Sequence, residues 1–203
     1  IDPNDKNVWH NLGLNYFEQQ AYGKALECYQ KNVELDAESA DAWNNLGNTY
    51  NYNKKYNKAI ECLTKAIEID PKHNDAWHNL GDSYSGKKLY NKAMLYYEKA
   101  ISLDPESVST LNNLANNYSD QGLYNKAIEC LEKSLSINPN HLNSWNNLST
   151  YYSDIKEYDK AKECLEKALT IDPNSAVVWN NLGNIYHGQQ QYEQAIACYE
   201  KAI

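Results

Sequence analysis

The sequence predicts an all-α fold, a solenoid of stacked antiparallel helix hairpins, on three observations. A large apolar residue recurs every 34 positions: Trp9, Trp43, Trp77, Leu111, Trp145 and Trp179. A core leucine keeps the same interval at Leu12, Leu46, Leu80, Leu114, Leu148 and Leu182. Each interval carries two apolar stripes at helical spacing, and most intervals close on Asp-Pro or Asn-Pro. A fixed period of this kind marks a repeat architecture in which each unit packs only on its neighbours.

Setting the frame by the tryptophans gives repeats 6–39, 40–73, 74–107, 108–141, 142–175 and an incomplete 176–203, read as one array over 1–203. Ile1-Asp2-Pro3 matches Ile69-Asp70-Pro71 and Ile171-Asp172-Pro173, so 1–5 reads as the tail of a missing preceding repeat. In the second repeat the spacing predicts a first helix from about Asp41 to Asn53. Trp43, Leu46, Gly47 and Tyr50 lie three, four and seven apart and form its buried stripe. Lys54-Lys55 makes a polar turn. The second helix is expected to start near Asn57 as N-cap, with Asn91, Asn125 and Asp159 repeating it. It buries Ala59, Ile60, Leu63, Ala66 and Ile67. Asp70-Pro71 ends it, because proline lacks an N–H and disfavours helix in the residue before it; Pro105, Pro139 and Pro173 repeat the stop.

Small residues hold fixed places. Ala25, Ala59, Ala93, Ala127, Ala161 and Ala195 share one position of the second helix. Gly13, Gly47, Gly81, Ala115, Ser149 and Gly183 share one of the first. A mid-helix glycine costs about 1 kcal/mol against alanine, so its repeated use predicts that the two helices meet backbone to backbone there. Tyr16, Tyr50, Tyr84, Tyr118, Tyr152 and Tyr186 end the first-helix stripe. Tyr22, Tyr56, Tyr90, Tyr124, Tyr158 and Tyr192 are expected in the turn. Twelve of the 18 tyrosines are thereby architectural.

With Trp, Leu, Gly and Tyr in the first helix, Ala, Tyr or Leu, and Ala in the second, then Pro, the chain resembles the tetratricopeptide repeat family. Leu111 replaces the tryptophan, Asn32 and Ser134 the late alanine, and Ala37 the proline. Asn32 stands out because it places an amide where the others bury a methyl. The resemblance implies a right-handed superhelix whose first helices line a concave groove that receives an extended peptide or a partner helix.

The formal charge is −8 and every basic residue is a lysine. Without clustered basic residues, nucleic acid is not an expected partner. No apolar run approaches the roughly 20 residues that span a bilayer, so no membrane role is expected. With no signal peptide and five unpaired thiols, a soluble, reducing, cytoplasmic setting is the expectation.

Cys28, Cys62, Cys130, Cys164 and Cys198 share one repeat position, where the third repeat has Tyr96. Equivalent positions of stacked repeats lie roughly 10 Å apart. That is too far for a disulfide or a shared zinc, so they read as small core residues and no metal or cofactor is expected. His73 and His141 are expected in exposed inter-repeat turns. His10 and His78 share a first-helix position and read as polar groove contacts. No nucleophile is placed to use a histidine as base, and no enzyme is expected. The carboxylates of the second helices interleave with lysines, with Glu129–Lys133 and Glu163–Lys167 in the favourable i, i+4 order. The sequons at Asn117 and Asn147 fall inside predicted helices, which argues against glycosylation.

One pattern goes unexplained by folding. Asn11, Asn45, Asn79, Asn113, Asn147 and Asn181 precede the core leucine in all six repeats. Asparagine is a mediocre helix former. Asn44, Asn112, Asn146 and Asn180 lie one residue earlier, and Asn48, Asn116 and Asn184 three residues later, on the same helix face. This ladder is similar to that in the repeat domains of O-linked N-acetylglucosamine transferase and kinesin light chain. Roughly 10 Å per repeat matches about three residues of extended chain at about 3.3 Å each. The ladder would then bind a peptide backbone and tolerate its side chains. Members that grip a C-terminal carboxylate use lysine and arginine on these helices. Here His10, Leu14, Asn45, Asp75 and Asn79 stand there, with Asp41 and Asp82 close by, which argues against that clamp.

The expected function is a non-catalytic scaffold that binds an extended peptide of a protein partner. The candidate site comprises Asn11, Asn45, Asn48, Asn79, Asn113, Asn116, Asn147, Asn181, Asn184, His10 and His78. One alternative is the substrate-selecting arm of a larger enzyme such as a glycosyltransferase. Another is a structural array that self-associates end to end through Trp9, Leu12 and Tyr16 at one end and Ala195, Ile196, Tyr199, Ala202 and Ile203 at the other.

Overall fold

The computed structural model describes residues 4–203, and the expected tail at Ile1-Asp2-Pro3 lies outside them. The described residues form helices α1 (Lys6–Glu18), α2 (Tyr22–Leu35), α3 (Ala40–Tyr52), α4 (Tyr56–Ile69), α5 (Asn74–Gly86), α6 (Tyr90–Leu103), α7 (Val108–Ser119), α8 (Tyr124–Ile137), α9 (Leu142–Asp154), α10 (Tyr158–Ile171), α11 (Ala176–Gly188) and α12 (Tyr192–Lys201). The architecture is an all-α repeat solenoid.

Two compact units emerge, Ile1–Pro105 and Glu106–Ile203. In the first, α1 pairs with α2, α3 with α4 and α5 with α6, and successive hairpins join through α2–α3, α4–α5 and α3–α5 contacts. The second repeats this with α7–α8, α9–α10 and α11–α12, joined through α8–α9, α10–α11 and α9–α11. The core of the first unit is built on Ala25, Leu46, Ala59, Leu63, Ala66 and Leu80. In the second, Ala161, Leu165, Ala168, Val178 and Leu182 gather around the last two hairpins.

The first helices are capped by groups outside the apolar repeat pattern. Ser39 and Ser107 accept the N–H three residues on through Oγ, and His73 and His141 do so through Nδ1. These histidines are therefore half-buried caps; the His73 side chain is only 11% exposed. The expectation of exposed turn histidines is corrected accordingly.

The second helices start earlier than their asparagines suggested. Tyr56 is the first helical residue, Lys55 the cap, and no side-chain cap bond forms; α6, α8 and α10 begin the same way at Tyr90, Tyr124 and Tyr158. Asn57, Asn91, Asn125 and Asp159 thus sit in the first turn, and the tyrosines expected in the turn belong to the helix. The turn is organised instead by a left-handed residue. The Lys55 N–H reaches the Tyr50 carbonyl and the Lys54 N–H that of Asn51, the paired bonds of a Schellman motif. Gln20, Lys54, Lys88, Gly122, Lys156 and Gln190 all have φ between +56° and +73° there.

The tryptophans clamp the inter-repeat loops. The indole N–H of Trp43 donates to the Ala37 carbonyl, and Trp77, Trp145 and Trp179 donate to Pro71, Pro139 and Pro173 at 2.8–3.0 Å. The expected i, i+4 ion pairs are not the ones that form within the second helices. Lys31–Glu34 and Lys65–Glu68 close at i, i+3 instead.

The helices of a hairpin do not meet backbone to backbone at the shared glycine. A Cβ on Gly13, Gly81 or Gly183 would lie 2.8, 2.4 or 2.5 Å from the ring of Tyr29, Tyr97 or Tyr199. On Gly47 it would meet the Leu63 side chain at 2.6 Å before the Ala59 carbonyl at 3.2 Å. The glycines make room for a side chain of the second helix.

Candidate functional site

The asparagine face is partly a set of clasps between successive first helices. In the first unit the Asn79 amide is buried and donates to Asn44 Oδ1 at 2.9 Å. Asn51 donates to the Asn79 carbonyl (2.8 Å), and Ser83 Oγ donates to Asn51 Oδ1 (2.7 Å). In the second unit Asn181 donates to Asn146 Oδ1 at 2.7 Å, and Asn147 to Asn116 Oδ1 at 3.3 Å. Asn116 also accepts the Tyr151 hydroxyl, and Asn184 accepts that of Tyr199 at 2.9 Å. A helical asparagine one step off the apolar stripe is thus well placed to reach the next first helix. The sequence carried a signal for this in the doubled asparagines, since donor and acceptor lie 35 residues apart in two of these bonds.

The remaining ladder positions differ. Asn11 is exposed, Asn45, Asn48 and Asn113 are half-buried, and Asn116 and Asn184 are exposed. The side-chain amides of Asn11, Asn45 and Asn48 make no hydrogen bond within the described residues. These three present their full donor and acceptor capacity on α1 and α3. His10 is half-buried, edge-on to Tyr29 with centroids 6.3 Å apart.

His78 belongs to a tighter group. Its Nε2 lies 3.4 Å from Asp82 Oδ2, while the buried Tyr97 hydroxyl donates to Asp82 Oδ1 at 2.7 Å. Burial pushes the imidazole pKa down, but the Asp82 hydrogen bond and the charges of Asp82 and Asp75 outweigh it and hold the pKa above the ordinary histidine value. Burial, then the adjacent Asp82, raises the Tyr97 phenol, which stays neutral. The sequence placed His78 on this face and missed Asp82 as its partner.

Two substituted positions also carry amide chemistry. Asn32 donates to the Lys6 carbonyl at 2.7 Å and so ties α2 to the start of α1. Asn32 is not the only departure with consequences, because Ser134 enters a buried network. Asn112 Nδ2 lies 2.8 Å from both Ser134 Oγ and Ser144 Oγ, the two hydroxyls are 2.9 Å apart, and His141 Nδ1 is 2.7 Å from Ser144 Oγ.

None of the cysteines is in a disulfide, and all are buried except the half-buried Cys130. Burial raises the thiols of Cys28, Cys62, Cys164 and Cys198, to about 12 for Cys62 and Cys164, so these four pack as neutral groups. Among the described residues no His, Cys, Asp or Glu cluster is arranged to hold a metal ion, and no helix is long and apolar enough to cross a membrane.

Models of the tetratricopeptide repeat match residues 40–73, 75–107, 106–174 and 176–203, and a TPR repeat model matches 13–54. Together they run almost without a break from 13 to 203, and the chain belongs to the tetratricopeptide repeat family. No curated protein sequence matches it. Among solved structures, MamA is 24% identical with a TM-score of 0.69, over 77% of this chain and 92% of its own. The pilF protein of Pseudomonas aeruginosa is 22% identical with a TM-score of 0.81, over 95% and 88%. YrrB, described as a TPR protein with an unusual peptide-binding site, is 22% identical with a TM-score of 0.67, over 88% and 92%. These likenesses show the fold. Proteins of this family are in general protein-interaction scaffolds and typically non-catalytic.

Proposed function

We propose that the chain is a non-catalytic interaction module that binds an extended peptide segment of a protein partner along the asparagine face of its first helices. The observation that carries this is the unused hydrogen-bonding capacity of Asn11, Asn45 and Asn48 on α1 and α3. A half-exposed helix gains little from such residues, whereas an extended backbone presents donors and acceptors that amides match. The peptide-binding site named for YrrB, a protein of the same fold, supports the same reading. Asn79, Asn147 and Asn181 contribute by holding the first helices in register.

The test is a peptide array probed with the wild-type chain and with an Asn11→Ala, Asn45→Ala, Asn48→Ala variant. Peptides bound by the wild type should lose about tenfold or more in affinity, since two or three hydrogen bonds of about 1 kcal/mol each are removed. Helicity should be unchanged, because none of the three side-chain amides makes a bond among the described residues. Unchanged affinity of the variant sinks the proposal.

A further inference from the structure

The third repeat differs from the others at the cysteine position, and the difference shows what fits there. Tyr96 stands where Cys164 stands in the fifth repeat. Its ring stacks on Tyr84 with centroids 5.0 Å apart and an interplanar angle of 4°, and on Trp77 at 6.0 Å and 28°. Lys92 lies 5.6 Å over the Tyr84 ring and Lys99 5.9 Å over that of Trp77. The third repeat thus has an aromatic slot, walled by Trp77 and Tyr84, that the chain fills from its own second helix.

The fifth repeat keeps the walls and lacks the filler. Trp145, Leu148 and Tyr152 of α9 line a cavity of about 510 Å³ with Leu135 of α8 and Cys164 of α10. That volume is in the range of sites that take small organic groups. Each wall residue is the 68-residue equivalent of one in the third repeat: Trp145 of Trp77, Tyr152 of Tyr84, Leu148 of Leu80. The cation is retained as well, with Lys160 5.4 Å over the Tyr152 ring and Lys167 at the rim. The Tyr152 hydroxyl donates to Glu132 at 3.1 Å, which fixes that wall. Cys164 ends short of the slot as a buried neutral thiol, an apolar floor.

We propose that this slot between Trp145 and Tyr152 docks the aromatic side chain, tyrosine or phenylalanine, of a protein partner. The occupant is argued from the chain itself, because Tyr96 in the equivalent slot meets the same two walls by offset stacking. Aromatic pairs add about 0.5–1.5 kcal/mol beyond the area they bury, and a lysine over the π-face adds to this at a partly desolvated rim. The site uses the apolar stripe of α9 and none of Asn11, Asn45 or Asn48, so it stands or falls independently of the peptide face.

The probes are N-acetyl-4-fluorophenylalanine amide and 4-fluorophenol, followed by fluorine NMR line broadening on the full chain, with trifluoroethanol as an aliphatic control. The wild type should broaden both aromatic probes and leave the control sharp. Cys164→Tyr, which copies the third repeat, should weaken binding about tenfold with helicity retained. Tyr96→Cys should open the equivalent slot of the third repeat and increase broadening. If Cys164→Tyr does not fold, Trp145→Leu replaces it, since Leu111 already serves the fourth repeat; it should abolish binding. No broadening by the wild type, undiminished broadening by Cys164→Tyr or Trp145→Leu, or equal broadening of trifluoroethanol overturns the proposal.

Discussion

Gly81 faces the ring of Tyr97 so closely that a Cβ would lie 2.4 Å from its Cε1. The second-helix position holds tyrosine at 29, 97 and 199 and leucine at 63, 131 and 165. Every tyrosine is opposite a glycine, while alanine or serine occurs only opposite leucine, as in Ala115 with Leu131 and Ser149 with Leu165. The two positions share one volume. Gly81→Ala should destabilise by about 1–3 kcal/mol through overpacking, even though alanine is the better helix former. Adding Tyr97→Leu should recover most of the loss, which a double-mutant cycle in urea would register as strong coupling.

The same pair shows what a sequence pattern conveys. The 34-residue period and the apolar stripes give the hairpins, because helix faces are set by spacing alone. The glycine is visible in the spacing but its partner is not, since only the folded chain brings the Tyr97 ring to the gap. The helix starts were misplaced for a related reason. Asn57 is a favoured N-cap type, yet the Schellman bonds of the preceding turn fix the entry at Lys55 and leave no capping place. The side-chain caps that form lie on the first helices, where Ser39 and Ser107 are usual capping types and His73 and His141 are not. Half of the asparagine ladder was legible as position and illegible as role. Whether an amide such as Asn79 or Asn45 is clasped or free depends on the neighbouring repeat, which holds a partner for one and none for the other.

His78 should titrate with a midpoint above the ordinary histidine value, measured by NMR of the ring protons. Asp82→Asn should bring it down, because burial then acts with less opposition. A histidine whose folded-state pKa is raised stabilises the fold fully below its unfolded pKa. That contribution is lost as pH rises through the folded pKa. Wild-type stability should therefore fall across the window just above the ordinary histidine pKa, and the fall should be smaller in Asp82→Asn.

Lys54, Lys88 and Lys156 hold φ near +60°, where a side chain is strained and glycine is not. Lys54→Gly and Lys88→Gly should each raise stability by about 1 kcal/mol, offset in part by the freedom glycine gains in the unfolded chain. Gly122 supplies the control. Its φ is +73° and a Cβ there meets nothing within 4 Å, so Gly122→Ala tests backbone strain without a clash. It should lower the thermal midpoint, and a neutral result would remove the strain argument for all six turns.

The buried group of Asn112, Ser134 and Ser144 joins α7, α8 and α9 and should behave as one unit. Asn112 Nδ2 has two hydrogens for three acceptors, the Val108 carbonyl and the two hydroxyls, while Ser144 Oγ donates back to Asn112 Oδ1 at 3.0 Å. Both serines are fully buried, so neither water nor a new partner replaces a lost bond. The junction of the second and third repeats has Ala66 and Ala76 in place of the serines. Ser134→Ala or Ser144→Ala alone should cost about 1–3 kcal/mol, because each leaves a buried polar group short of a partner. Asn112→Leu combined with both alanines removes every member and should come out nearly neutral, the asymmetry expected when an unpaired group costs more than a paired one gains. Additive losses across the three substitutions in denaturant unfolding would show instead that the groups contribute separately.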